Sequence, residues 1–96
     1  MGAGVVGEAS SGRRVRIVLH QIAPEKFKRR ARGSCWAVIE DTARPGFCLW
    51  RSWTSHKAAA VLAGAVHQCR FSGYVLAEFV TENGDALDVG GMGFDS

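Results

Sequence analysis

The pattern of apolar and polar positions divides the chain into several short strands and one long helix. In strands, apolar side chains recur at every second position, and this alternation is clearest where Val15, Ile17 and Leu19 share one face. The turn sequence Asn83-Gly84 can return the chain as a further short strand. The predicted strands are 13–22, 35–40, 47–53, 74–82 and, after that turn, 85–89.

The single long helix is predicted over 54–71, because apolar side chains recur there at helical spacing. Its apolar face comprises Ala58, Leu62, Ala65, Val66 and Cys69. Thr54 or Ser55 can cap the first turn, and Gly73 can end the helix because glycine accepts the left-handed conformation. Glycine in mid-helix costs roughly 1 kcal/mol relative to alanine. Gly64 therefore indicates either a tolerated weakness or a close approach of the helix to the sheet.

The second and third strands are predicted to form a hairpin around Pro45-Gly46. We expect one face of this hairpin to lie against the helix and the other to be open to solvent, which would make Trp50 the most exposed aromatic residue. The face expected against the helix comprises Trp36, Val38, Glu40, Phe47, Leu49, Arg51 and Trp53. The face expected to be open comprises Cys35, Ala37, Ile39, Cys48 and Trp50.

These elements define an α+β fold, a two-layer sandwich of one helix on a mainly antiparallel sheet of three to five strands. The order is strand, strand, strand, helix, strand, with an optional fifth strand. The sequence leaves open whether the fourth strand lies beside the third or the first. We expect one domain at 13–89, a disordered tail at 1–12 and a flexible Gly-rich tail at 90–96.

The chain contains no long apolar segment and no secretory leader pattern. A transmembrane helix needs about 18 or more consecutive apolar residues, and no segment of the sequence approaches that length. The first residues lack the basic start and apolar middle of a signal peptide. We therefore expect no membrane partner and a cytoplasmic location.

The charges of the chain are distributed unevenly. Residues 1–33 contain eight Lys and Arg against two Glu, whereas residues 34–96 contain four against seven acidic residues. Clustered cations neutralise phosphates and release counterions, so this pattern favours non-specific binding of DNA or RNA. A solvated basic loop without a partner explains the same composition. The candidate phosphate-binding residues are Lys26, Lys28, Arg29, Arg30 and Arg32 in the loop, with Arg14 and Arg16 on the first strand.

A protein-interaction or self-association module is the alternative hypothesis. Ile39 and Trp50 are its candidate residues, because an apolar cluster on an open sheet face usually marks a partner surface. Phosphate binding should weaken steeply with salt, whereas association through an apolar face should not. The oligomeric state is not determined by the sequence.

Residues with catalytic or metal-binding chemistry do not form a recognisable site. Cys35, Cys48 and Cys69 lack the C-x-x-C spacing of zinc or redox sites, which favours small buried side chains in a reducing compartment. His56 and His67 are about three helical turns apart, too far to bind one metal ion. The sequence has no G-x-S-x-G, phosphate-loop or dinucleotide motif. We expect no enzyme activity, cofactor or metal.

Several short motifs resemble a family of small bacterial proteins of unknown function. The resemblance covers about half of the chain, from Trp36 to Gly84, and it implies a bacterial source and the same strand and helix order. The chain lacks the acidic residue that this family usually has in the first helical turn, and the basic loop before Trp36 is an addition. The matching motifs are Trp36-Ala37-Val38, Trp53-Thr54-Ser55, Ala58-Ala59, the strand at 74–80 and Asn83-Gly84.

Overall fold

The computed structural model describes residues 12–22 and 34–90, which form one helix packed on a four-stranded sheet. This is the predicted α+β architecture. The predicted tails at 1–12 and 90–96, apart from Gly12 and Gly90, lie outside the described residues, and so does the basic segment 23–33. The elements are β1 (Arg14–Ile22), β2 (Ser34–Asp41), β3 (Cys48–Arg51), α1 (Ala58–Ser72) and β4 (Val75–Thr81).

The sheet has the strand order β3-β2-β1-β4. β2 is antiparallel to both of its neighbours, whereas β4 pairs in parallel with β1. The fourth strand therefore lies beside the first, and α1 carries the chain across the sheet from one edge strand to the other. The optional fifth strand is reduced to a single bridge between Val80 and Ala86, which follows the turn at Asn83-Gly84.

The helix is shorter at its start than predicted. Ser55 forms an isolated bridge with Cys35, and its hydroxyl oxygen accepts a hydrogen bond from the Lys57 backbone N–H. These contacts hold the chain in an extended form, so α1 begins at Ala58 and has no side-chain cap. The predicted hydroxyl cap is wrong. The predicted end is confirmed, because Gly73 follows the helix in the left-handed conformation with φ of 74°.

The main hydrophobic core lies between α1 and the sheet. β1 contributes the face that its alternation predicts, and α1 contributes Val61, Leu62, Ala65 and Cys69. The helix packs mainly over β2 and less over β1 and β4. The buried residues of this core are Val15, Ile17, Leu19, Cys35, Ala37, Ile39, Val61, Leu62, Ala65, Cys69 and Val89.

The predicted facing relative to α1 is wrong for β2 and for Trp50, whereas Leu49 and Trp53 lie towards the helix as predicted. Ile39 is fully buried beneath the helix, and Trp50 is half-buried against the same core. Trp36 and Val38 lie instead on the opposite side of the sheet, which we call the open face, in a second cluster with two further valines. Val38 and Arg51 are register partners, so the expectation that they share a face is correct.

A β-bulge explains why the facing of β3 changes along its length. Ile39 is opposite Trp50, but Glu40 is opposite Cys48, so Leu49 is an extra residue in β3. The bulge lets Leu49 and Trp50 both pack against the main core. A constant two-residue period through β3 cannot predict this arrangement.

Candidate nucleic-acid interface

An aromatic stack occupies the open face near one end of the sheet. The rings of His20 and Trp36 are stacked, with centroids 5.0 Å apart and an angle of 5° between their planes. The Arg51 guanidinium carbon lies over the Trp36 ring, 5.2 Å from its centroid. His20 comes from β1 and Arg51 from β3, the two strands that flank β2. These three side chains are the Trp36 cluster.

The Trp36 cluster rests on a small hydrophobic layer of its own. Val18, Val38 and Val80 are neighbours on three adjacent strands, and each is almost completely buried although α1 lies on the other side of the sheet. Trp36 packs against this layer and is itself half-buried. The indole ring therefore packs on a layer of buried valine side chains on the open face.

Arg16 is engaged by two carboxylates on the open face. Its Nη1 lies 3.1 Å from Glu40 Oε1 and its Nε lies 3.1 Å from Glu78 Oε2, and its side chain is only 19% exposed. The hydrogen bond to Glu40, with a smaller contribution from Glu78, raises the pKa of Arg16. Because two acids already neutralise this cation, Arg16 is a poor candidate for binding phosphate. Arg14 is exposed and has no ion pair within the described ranges.

Among the described residues of the open face, two glutamates lie on the β4 side and one exposed arginine lies on the β3 side. Glu78 and Glu82 belong to β4 and to the turn that follows it, and Glu82 Oε1 lies 3.3 Å from His20 Nδ1. Arg51 lies on β3, at the opposite edge of the sheet. A polyanion would be repelled from the β4 side and attracted to the β3 side.

The strand register fixes where the basic loop leaves the sheet. Ile22, at the end of β1, is the register partner of Ser34, at the start of β2. His20 and Trp36 are register partners two residues further into the sheet. Both ends of segment 23–33 are therefore joined to β1 and β2 at the end of the sheet where the Trp36 cluster lies. The five candidate loop residues, Lys26, Lys28, Arg29, Arg30 and Arg32, lie outside the described residues.

Two polar contacts of Asp41 lie at the other end of β2. Arg13 Nη1 lies 2.8 Å from Asp41 Oδ2, and the Ala43 backbone N–H donates a 2.9 Å hydrogen bond to Asp41 Oδ1. The bond from Ala43, supported by Arg13, lowers the pKa of Asp41. This carboxylate is almost buried and fully engaged, so its role is to fix the chain after β2.

The alternative partner residues do not lie where the hypothesis needs them. Ile39 is 0% exposed and Trp50 packs against the main core, so neither presents an apolar surface to a partner. Phe47, Trp53 and Phe71 are the large aromatic side chains that are exposed among the described residues.

The cysteines differ from one another in exposure. Cys35 and Cys69 are buried as expected, and burial raises the pKa of Cys35 and raises that of Cys69 to about 11. Cys48 is exposed, which corrects the expectation that it is buried. In the part of the chain that the structure describes, no three His, Cys, Asp or Glu residues are grouped so that they could hold a metal ion.

Sequence reasoning assigned the two rings of the stack separately and missed their contact. The alternation that puts Val15, Ile17 and Leu19 on one face of β1 puts His20 on the other face, as the structure has it, but the predicted position of Trp36 beneath the helix is wrong. The signal that connects them is the β1–β2 register, in which His20 is opposite Trp36. That register depends on loop 23–33, whose length and composition do not determine a turn type.

Comparisons with protein-family models, with characterised proteins and with solved structures give no match for this chain. Among the described residues, no helix has the length and apolar character needed to cross a membrane.

Proposed function

We propose that this chain is a non-enzymatic module that binds DNA or RNA through backbone phosphates, without sequence preference. The observation that carries the proposal is the β1–β2 register. Ile22 and Ser34 are paired at the end of the sheet where the Trp36 cluster lies, and the segment between them contains five Lys and Arg residues. Phosphate binding by clustered cations is driven by counterion release and needs no base-specific contact.

The described residues refine the set of cations proposed for this role. Arg51 is exposed on the β3 side of the open face and belongs to the set. Arg16 is neutralised by Glu40 and Glu78 and is removed from it. Arg14 is exposed, but a strand rises about 3.3 Å per residue, so Arg14 lies near the opposite end of β1 from Ile22. It would contact phosphates only in a longer nucleic acid.

A salt titration tests the proposal. Binding of a generic duplex and of an RNA should weaken as salt rises, with a log–log slope of about −4 to −5 if five loop cations contact duplex phosphates. The double variant Arg29→Ala/Arg30→Ala should reduce the magnitude of that slope by about two and weaken all sequences alike. The control Lys57→Ala/Arg70→Ala removes the same charge from exposed positions at the start and end of α1 and should leave the slope unchanged.

Two results would change or reject the proposal. No binding to DNA or RNA at low salt would reject it. Binding with an unchanged slope in Arg29→Ala/Arg30→Ala would assign the phosphate contacts to other cations, with Arg14 and Arg51 as the exposed candidates on the open face.

A protein-interaction module is the second candidate function, at a different surface from the one expected. Phe71 is 80% exposed and Val75 is 43% exposed, on either side of the Gly73 turn that joins α1 to β4. A cleft of about 1060 Å³ opens beside this turn, between α1 and β4, with Val66, Tyr74 and Leu76 in its wall. Exposed apolar side chains beside a cleft favour a partner or a second copy. Concentration-dependent sedimentation that Phe71→Ser abolishes would support this candidate.

A further inference from the structure

Trp36 lies on the side of the sheet opposite α1, so the main core does not explain its position. Trp36 contacts the valine layer of the open face, but it stays half-buried, and its neighbours His20 and Arg51 are a flat ring and a planar cation. Flat aromatic rings and guanidinium groups are the side chains on which unpaired bases stack. The cluster thus has the chemistry of a base-stacking platform.

The contact between Arg51 and Trp36 is of a kind that a base can replace. Arg51 is exposed, and its guanidinium carbon is 5.2 Å from the ring centroid. A cation–π contact at an exposed site is weaker than the stacking of a base on an indole ring. A guanidinium displaced by a base remains beside the ring, where it can bind the phosphate of the same nucleotide.

The charges around the Trp36 cluster bear on whether a polyanion or an apolar protein surface binds there. Glu78 and Glu82 line the β4 side, so a polyanion has its favourable approach over Trp36 and Arg51 on the β3 side. An apolar protein surface covering the whole open face would have to bury the ion pairs of Arg16 on the same face, which carries a desolvation cost. The flat rings of His20 and Trp36, with the exposed cation of Arg51 beside them, therefore favour a strand that carries both flat bases and a negative charge.

We infer that the nucleic acid bound by this chain is single-stranded, with an unpaired base stacked on Trp36 in place of Arg51. The inference rests on the proposed function and specifies its ligand. In a duplex the bases are stacked on one another, so their faces are not available to the ring. Single strands gain both the phosphate contacts and the stack, whereas duplexes gain only the phosphate contacts.

Fluorescence anisotropy with labelled oligothymidylate of roughly 12 nucleotides, and with a duplex of the same length, tests the inference. At low salt Trp36→Leu should weaken single-strand binding about tenfold, as expected for the loss of one base–aromatic stack. Duplex binding should not change. Trp53→Leu is the matched control, because Trp53 is exposed but contacts the helix at Gly64, and it should leave both affinities unchanged.

A second measurement does not depend on the stability of Trp36→Leu. In the variant Trp50→Phe/Trp53→Phe, Trp36 is the only remaining tryptophan. Saturating oligothymidylate should quench its fluorescence, whereas the duplex should not. Circular dichroism checks that each variant keeps its helix.

The possible outcomes separate this inference from the proposed function. Equal affinity for single strands and duplexes, with no effect of Trp36→Leu and no quenching, overturns the inference and leaves phosphate binding in place. No binding of either nucleic acid overturns the proposed function and the inference with it. Self-association that Trp36→Leu abolishes in sedimentation would assign the open face to a second copy and overturn the inference.

Discussion

The indole ring of Trp53 lies directly on the backbone of Gly64. A Cβ atom built at Gly64 would be 2.7 Å from Trp53 Cη2 and 3.0 Å from Trp53 Cζ3. Trp53 belongs to the connection between β3 and α1, so this contact fixes that connection on the helix. The glycine in mid-helix is therefore explained by close approach, but to Trp53 and not to the sheet.

The Trp53–Gly64 contact predicts that the effect of Gly64→Ala on the free energy of unfolding depends on whether the Trp53 ring is present. In Trp53→Ala the space above residue 64 is free, and Gly64→Ala should raise the free energy of unfolding by about 0.5–1 kcal/mol through helix propensity. In the wild-type background the new methyl group would displace the ring, so this gain should disappear or reverse. Denaturant unfolding of the wild type, the two single variants and the double variant measures the coupling between Trp53 and Gly64. Equal effects of Gly64→Ala in both backgrounds would show that the ring is not held there.

The corrected facing of β2 predicts a large cost for Ile39→Ala. Ile39 is 0% exposed beneath α1, and its truncation should reduce the free energy of unfolding by about 2–5 kcal/mol. Val75→Ala is the control, because Val75 is 43% exposed on the edge strand β4 and should lose only a fraction of that amount. Denaturant unfolding compares the two. A small loss for Ile39→Ala would contradict the burial of this residue beneath α1 and support the open face predicted for it from the sequence.

The sequence predicts most of the fold, and its main error has a physical cause. Apolar alternation identifies the face of β1, and the single helix is evident from its periodicity. β2 is apolar on both faces, so alternation cannot tell which face meets the helix. The prediction puts Trp36 and Val38 against the helix, but the residues of β2 that lie beneath α1 are Cys35, Ala37 and Ile39.

The candidate site was less accessible to sequence reasoning than the fold. The stack of His20 on Trp36 and the ion pairs of Arg16 each join residues on different strands. Such contacts depend on which strands are neighbours, and the position of β4 beside β1 was not determined by any local pattern. The basic segment, in contrast, is visible in composition alone.

The burial of the cysteines predicts unequal reactivity towards thiol reagents. Only the thiolate reacts, so burial and a raised pKa should make Cys35 and Cys69 slow at neutral pH. Cys48 is exposed and should react first. Titration with a chromogenic disulfide reagent should show one fast thiol in the native protein and three in denaturant. Cys48→Ser should remove the fast phase, and a second fast thiol would contradict the packing of α1 on β2.

The contacts of Asp41 predict that part of the stability is lost in acid. Its pKa is lowered in the folded protein, mainly by the Ala43 N–H and also by Arg13, so the folded state favours the charged form. The resulting stabilisation is present above the ordinary pKa of aspartate, about 3.9, and is lost as pH falls through the lowered value in the folded state. The free-energy difference between wild type and Asp41→Asn should therefore be largest at neutral pH and shrink in acid. A difference that does not change with pH would contradict the assignment.

The two glutamates on the β4 side of the open face predict that removing a carboxylate strengthens nucleic-acid binding. Glu82 pairs with His20, which stacks on Trp36, so its charge lies close to the proposed path of the nucleic acid. At low salt, a unit charge about 10 Å from a phosphate contributes a repulsion of roughly 0.4 kcal/mol in water, which corresponds to about a twofold change in affinity. Glu82→Gln should raise the affinity by that factor, and the gain should fade as salt rises. The control is Asp88→Asn, which removes the same charge from the cleft beside α1 and should have a smaller effect. An equal gain in both variants would show that only net charge matters and that the nucleic acid does not pass over the open face.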